Sequence, residues 1–336
     1  MSFVEDNYQR SAIAFQQYID GLPGGMDRQI QVVWEEHVEN GFVQDDLSQS
    51  RRFPVVCSAD HERFFFVQVN PARAERRKPI HLPRLPERLA SRNLSRLDLE
   101  LIPYTSGFRQ YPWRIQLNGR SYAVLSNPFP IAAPGITVAS TLNDDPQGWG
   151  GSPDRLNRIL ADLCEMVRRA PSFLGFYNSL AGATVLDKNH FQLIGRGRQP
   201  WPLEKAFSGM DGNERSSFID AARYPLAAWR FAGDAAEVVN QAVEVTMAAQ
   251  EIAGDVATEN YLATSRNNVV SLYYIPRDKH RLFARPELMI ASLESFGEMI
   301  RESSSAEEFL FEYPRLATTL SAVRPYYAED LARRCA

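Results

Sequence analysis

Phe176-Tyr177-Asn178-Ser179-Leu180, Gly182-Ala183-Thr184 and Asp187-Lys188-Asn189-His190-Phe191-Gln192-Leu193-Ile194 form the stretch on which the fold reading turns. Aromatic and aliphatic residues lead into a small-residue turn and out along a second apolar run. Two strands, over 173–177 and 189–194, therefore flank a turn at 178–184. Strand alternation puts Lys188, His190 and Gln192 on one face, with Phe191 and Leu193 on the other, toward a core. A histidine between polar neighbours, with apolar anchors behind it, can present a ring nitrogen to a phosphate. A hydrogen-bonded structural histidine would show the same alternation.

Working outward, Ser152-Pro153-Asp154 starts a helix with an N-cap serine, a proline at the first position and an acid in the first turn. Leu156, Ile159, Leu160, Leu163, Met166 and Val167 continue it at helical spacing up to Pro171. Further downstream the pattern predicts a helix over 232–253, a strand over 268–275, and helices over 286–300 and 306–311. Upstream, 8–40 reads as two helices parted by Gly21-Leu22-Pro23-Gly24-Gly25. Phe53–Cys57 and Arg63–Val69 read as strands, and the proline-bearing, basic stretch 71–97 as a long loop. Asn118-Gly119 between Trp113–Leu117 and Tyr122–Leu125 is a hairpin signal, and 136–139 is a further strand. The glycine-rich loop at 143–152 suggests a division into 1–150 and 151–336. The fold class expected is α+β with largely antiparallel sheets.

The chain has 336 residues, 44% hydrophobic and 23% charged, with net charge −4 and a pI near 5.8. That balance is ordinary for a protein with a full core and argues against a broad nucleic-acid footprint. No apolar run reaches the roughly 18 residues of a membrane span, so no membrane partner is expected. The N-terminus is polar and acidic, unlike a signal peptide. Cys57, Cys164 and Cys335 lie far apart, without metal-ligand spacing to a histidine, and read as reduced thiols of a cytoplasmic protein. No metal or cofactor is expected. A homodimer is compatible with the apolar face of the 232–253 helix, and so is burial of that face in the core.

A histidine nucleophile splits one difficult phosphoryl displacement into two easier ones. It needs a neutral, oriented ring, donors for the phosphate oxygens, and neutralising charge. Gln192 can supply an amide donor. Lys188 can supply a charge on the same face and depress the histidine pKa. Gly182-Ala183-Thr184 can let the backbone approach a phosphate, with the Thr184 hydroxyl as donor. Arg196 and Arg198, in Gly195-Arg196-Gly197-Arg198, can pair with further oxygens.

Asn178-Ser179 through Gly182-Ala183, His190-Phe191-Gln192 and Pro200-Trp201-Pro202-Leu203-Glu204-Lys205-Ala206 resemble the core of the histidine-triad superfamily. They are most similar to its GDP-hexose phosphorylase and dinucleoside-polyphosphate phosphorylase branch. Gln68–Arg73, Ser126–Pro130, Tyr274–Arg281 and Ser292–Gly297 resemble, in order, segments of a bacterial group within it. The resemblance spans about 64–300. It implies two histidine-triad-like half-repeats, the second carrying the nucleophile, as in galactose-1-phosphate uridylyltransferase. It implies a nucleotidyltransferase or phosphorylase that attacks the α-phosphate of a nucleoside-diphosphate sugar or dinucleoside polyphosphate. Phosphate or a sugar phosphate would be the acceptor. His190 maps to the nucleophile and Gln192 to the polar residue that follows it. Asn178, Gly182, Ala183, Thr184, Lys205, Arg73 and Asn127 map to substrate-binding segments, and Arg277 joins Arg196 and Arg198 as an anion clamp. His280 and Glu294 are placed by segment order alone. His37, His61 and His81 fall outside the matched motifs. The family's first histidine falls at 188, which here is lysine. The alternatives are a nucleotide-binding or regulatory protein without catalysis, and a hydrolase using the same intermediate.

Overall fold

A computed structural model describes residues 3–44, 47–73, 85–90, 92, 94–197, 199–208, 210, 216–285, 288–302 and 312–335. The helices are α1 (Phe3–Asp20), α2 (Gly25–Glu39), α3 (Glu87–Ala90), α4 (Ile102–Thr105), α5 (Pro153–Arg169), α6 (Pro202–Ala206), α7 (Ala235–Ala253), α8 (Ser292–Ser295), α9 (Tyr313–Ser321) and α10 (Ala328–Cys335). The strands are β1 (Arg51–Val56), β2 (Phe64–Val69), β3 (Trp113–Leu117), β4 (Arg120–Ser126), β5 (Gly135–Ser140), β6 (Phe173–Asn178) and β7 (His190–Gly195). They continue with β8 (Ser216–Ile219), β9 (Ala228–Gly233), β10 (Ala257–Arg266), β11 (Val269–Asp278), β12 (Phe283–Arg285), β13 (Leu288–Met289) and β14 (Glu298–Arg301). The fold is α+β with largely antiparallel pairing, as expected.

The chain forms two compact units. The first comprises 1–49, 72–147 and 185–195; the second comprises 50–71, 148–184 and 196–336. These differ from a single cut at 150, because strand pairing is long-range. β7 pairs with β5 and so joins the first unit, while β2 pairs with β14 and so joins the second.

In the first unit β3, β4, β5 and β7 pair antiparallel in succession. Asn118 and Gly119 both adopt positive φ, 46° and 78°, and close the β3–β4 hairpin. That is the type I′ requirement, and its twist matches the strands it joins. Phe191 and Leu193 of β7 are buried, and Phe191 packs against Tyr122 of β4.

In the second unit the antiparallel ladder runs β6, β10, β11, β9, β8. The Ser152 hydroxyl caps α5 by accepting from the Arg155 N–H, as its sequence predicts. Gly175 of β6 lies so close to α5 that a Cβ there would meet Leu163 and Val167 at 2.8 Å. The apolar face of α7 is covered inside this unit by α5, β11 and α10. Tyr261 of β10 meets Thr246 of α7, so its neighbour Asn260 faces the other side of the sheet, toward α8.

Three expectations change. The helix expected over 286–300 is only α8, four residues long. Glu294 reaches back to the Ala291 N–H, and Gly297, at φ 104°, ends the turn. The chain then extends as β14, parallel to β2, where pairing outweighs helical periodicity. The strand expected to end at Ile275 continues to Asp278, with Pro276 beyond the Val270–Tyr274 segment that β9 pairs. Part of the 71–97 stretch forms α3, and 74–84 lies outside the described residues, as does the helix expected over 306–311.

Candidate functional site

β7 starts at His190, whose side chain is 5% exposed. Its Nδ1 lies 2.9 Å from the Lys188 carbonyl. A carbonyl only accepts, so Nδ1 carries the proton in this contact and Nε2 keeps its lone pair. The backbone of His190 is held on both sides by one side chain. Its N–H donates to Gln147 Oε1 at 2.9 Å, and its carbonyl accepts from Gln147 Nε2 at 3.1 Å. Burial pushes the His190 pKa below the ordinary value. The Lys188 carbonyl opposes that shift, the positive charge of Arg96 adds to it, and the carboxylate of Asp187 opposes it. The ring is therefore neutral at neutral pH, with its lone pair on Nε2. Gln192, two residues along β7 and opposite Thr137, is half-buried.

Lys188 differs from its expected role. It lies in a bend before β7, so strand alternation does not govern where it points. Its ammonium is 2% exposed, paired with Asp98, and donates to the Leu142 carbonyl at 2.6 Å. Among the charges acting on the His190 pKa is that of Arg96. Asp98 is the partner of Lys188 that sequence reading missed. Ser95-x-x-Asp98 has the spacing of a local cap, and Asp98 Oδ2 does accept from the Ser95 N–H at 2.8 Å. Nothing in the sequence links that turn to residue 188. Gln147 left no signal either, sitting in a loop read as a boundary.

Elsewhere in the first unit, Arg73 and Asn127 converge on Phe129. Arg73 donates to its carbonyl at 2.8 Å, and the Asn127 side chain accepts from its N–H at 3.0 Å. Both build the 127–130 loop. His37 is buried on α2. The Tyr111 N–H donates to its Nε2, so its Nδ1 must donate to Ser126 Oγ. That polarity makes Ser126 an acceptor and excludes a serine activated by this histidine.

In the second unit, Asn178 and Arg277 belong to one buried network. Asn178 Oδ1 accepts from Asn260 Nδ2 (3.0 Å), the Ser292 N–H (2.9 Å) and the Ser292 hydroxyl (2.6 Å). Arg277 Nη1 donates to Asn260 Oδ1 at 2.6 Å and Ser295 Oγ at 2.9 Å. Arg277 is wholly buried, and burial lowers its pKa to about 10. It ties β11 to α8 and is not presented to solvent as a clamp. Gly182 has φ 98°, and a Cβ there would lie 2.6 Å from the Cβ of Ala291. Ala183 is half-buried and Thr184 exposed. Arg196 pairs with Glu204 at 2.5 Å. Lys205 pairs with Glu62 in a cleft of about 250 Å³ also lined by Arg63, Phe65, Tyr224 and Tyr313. Arg198 lies outside the described residues.

Yeast Ap4A phosphorylase Apa2 in complex with Ap4A superposes with a TM-score of 0.61 at 16% identity, over 91% of this chain and 99% of that one. The chain has the fold of Ap4A phosphorylase. The AMP complex of Apa2 gives a TM-score of 0.58 at 16% identity, over 88% of this chain and 94% of the other. No protein-family model matches the sequence, and no curated protein matches it. The likeness is therefore one of fold. Among the described residues no helix is long and apolar enough to cross a membrane.

Proposed function

We propose that this protein is a nucleotidyl-transferring phosphorylase acting on a dinucleoside polyphosphate, or on a nucleoside-diphosphate sugar, through a covalent nucleotidyl-His190. The observation that carries the reading is the contact of His190 Nδ1 with the Lys188 carbonyl in a buried, neutral ring. Nε2 attacks the α-phosphorus, an N–P bond forms, and the bond from that phosphorus to its bridging oxygen breaks, releasing a nucleoside polyphosphate from a dinucleoside polyphosphate or a sugar phosphate from a nucleotide sugar. The ring becomes cationic, and the Nδ1–H to carbonyl hydrogen bond stabilises that charge. An oxygen of inorganic phosphate or a sugar phosphate then attacks phosphorus and releases neutral His190. Gln192 donates its amide to a phosphoryl oxygen. Arg73, Asn127, Asn178 and Arg277 serve as framework, given the partners described above. The thiols of Cys57, Cys164 and Cys335 are unbridged, in keeping with a cytoplasmic location.

The test is incubation with a panel of nucleotides labelled at the α-phosphate, followed by isolation of an acid-labile, base-stable adduct. The adduct is expected in the wild type and absent in His190→Ala. No adduct with any nucleotide, together with unchanged turnover in His190→Ala, would sink the proposal. Lysine at 188, where the resembled family has histidine, favours a second reading as a nucleotide-binding protein without catalysis. Thermal stabilisation by nucleotide with no adduct identifies that case.

A further inference from the structure

Four successive residues are each tied to other parts of the first unit. The Ser95 hydroxyl donates to Asp187 at 2.9 Å. Lys188 pairs with Asp98 and donates to the Leu142 carbonyl. The Asn189 N–H donates to the Asp145 carbonyl. His190 is held by Gln147. Two segments, 95–98 and 142–147, thus grip 187–190 from one end to the other.

Of these ties, the Lys188–Asp98 pair is the most expensive. Both side chains are withdrawn from water, at 2% and 10% exposure, and desolvation of two charges offsets much or all of their attraction. Such a pair is a poor source of net stability, but it is directional. The ammonium is fixed by two acceptors on two different segments, Asp98 Oδ1 and the Leu142 carbonyl. Asp98 is itself fixed, because its other oxygen accepts from the Ser95 N–H. With its side chain anchored at the far end, the backbone of Lys188 has little freedom to turn. Its carbonyl is the atom that meets His190 Nδ1.

We propose that Asp98 is a positioning residue for His190: by pairing with Lys188 it holds the Lys188 carbonyl against Nδ1 and so keeps the lone pair on Nε2. Lysine at 188 then acts through its backbone, and its ammonium serves as the anchor rather than as a contact to phosphate. The consequence for catalysis rests on the reading of His190 as nucleophile, whereas the tautomer itself does not.

The tautomer is read from the imidazole ¹⁵N shifts of the ligand-free protein at pH 8. In the wild type, Nδ1 is expected protonated and Nε2 unprotonated. Asp98→Asn and Lys188→Met are expected to give a mixture of tautomers, at least a tenfold fall in kcat for adduct turnover, and less than a twofold change in KM. Asp98→Glu is expected to restore most of both. If the single variants fail to fold, the double variant Asp98→Leu/Lys188→Met, which leaves no buried charge unpaired, takes their place with the same expected mixture. An unchanged tautomer in folded variants overturns the proposal. So does a loss confined to KM, which would mean that the ammonium touches the nucleotide. A wild type that forms no adduct but whose tautomer responds to Asp98→Asn leaves the positioning role standing while the proposed activity falls.

Discussion

The side-chain amide of Gln147 hydrogen-bonds both backbone groups of His190, accepting from its N–H at 2.9 Å and donating to its carbonyl at 3.1 Å. Gln147 thus occupies, with one side chain, the place that a neighbouring strand would take.

Gln147→Leu leaves two buried backbone groups without partners, at about 1–3 kcal/mol each. A loss of roughly 2–4 kcal/mol in urea unfolding is expected, with slower adduct formation. Gln147→Glu should fall between the two, since a carboxylate still accepts from the His190 N–H but cannot donate to its carbonyl. Equal stability of Gln147→Leu and wild type would count against this account.

Adduct formation should be limited by protonation of His190 only at acid pH. Burial lowers the pKa of the ring, so the rate is expected to be flat above 6.5 and to fall only below the ordinary histidine value. A pH profile of the single-turnover rate checks this. An acid limb above 6.5 would contradict it.

His37 and Glu259 pull the stability curve in opposite directions. Burial lowers the His37 pKa to about 4. Between pH 6.5 and 4 the unfolded chain binds a proton that the fold refuses, so stability is lost on acidification, by roughly 3 kcal/mol. Glu259 is buried beside Trp149, and burial raises its pKa to about 7 against hydrogen bonds from Ser179 and Trp149. A raised carboxyl contributes stability below pH 4.5 that is lost as pH rises through 7. Glu259→Gln keeps an oxygen for the Trp149 indole N–H and removes the ionisation. Its Tm should exceed that of wild type at pH 8 and match it near pH 5. The same Tm difference at both pH values would refute the assignment.

Gly182→Ala meets two obstacles, a φ of 98° and a contact of 2.6 Å with the Ala291 Cβ. Backbone strain alone costs about 1–3 kcal/mol. Ala291→Gly should relieve the contact but not the strain. A partial rescue of Tm in the double variant is therefore expected, and a complete one would show that φ carries no cost here.

Much of the fold was legible where a local rule sufficed. Asn118-Gly119 announces its hairpin because few residues adopt two positive φ values in succession. Ser152-Pro153 announces α5 because the cap is satisfied within the first turn. Ser292-Leu293-Glu294-Ser295 misled because its helical signal is real but stops at Gly297, where pairing with β2 takes over. Arg277 read as a clamp because its segment resembles one of the histidine-triad superfamily; the continuation of β11 and the cover of α8 bury it instead.

The sequence by itself determined the α+β class, the hairpin, the capped helix and a histidine at the start of a strand with Phe191 and Leu193 turned inward. Each follows from residues within a turn or two of one another. Tertiary structure alone decided which ring nitrogen of His190 keeps its lone pair, and what Lys188 does. The Nδ1 contact reaches only two residues back, but Gln147, 43 residues away, holds the His190 backbone, and Asp98, 90 residues away, pairs with Lys188. Partners at such separations carry no mutual periodicity in the chain. They meet where β7 pairs with β5, and that pairing is a property of the sheet as a whole rather than of any stretch within it.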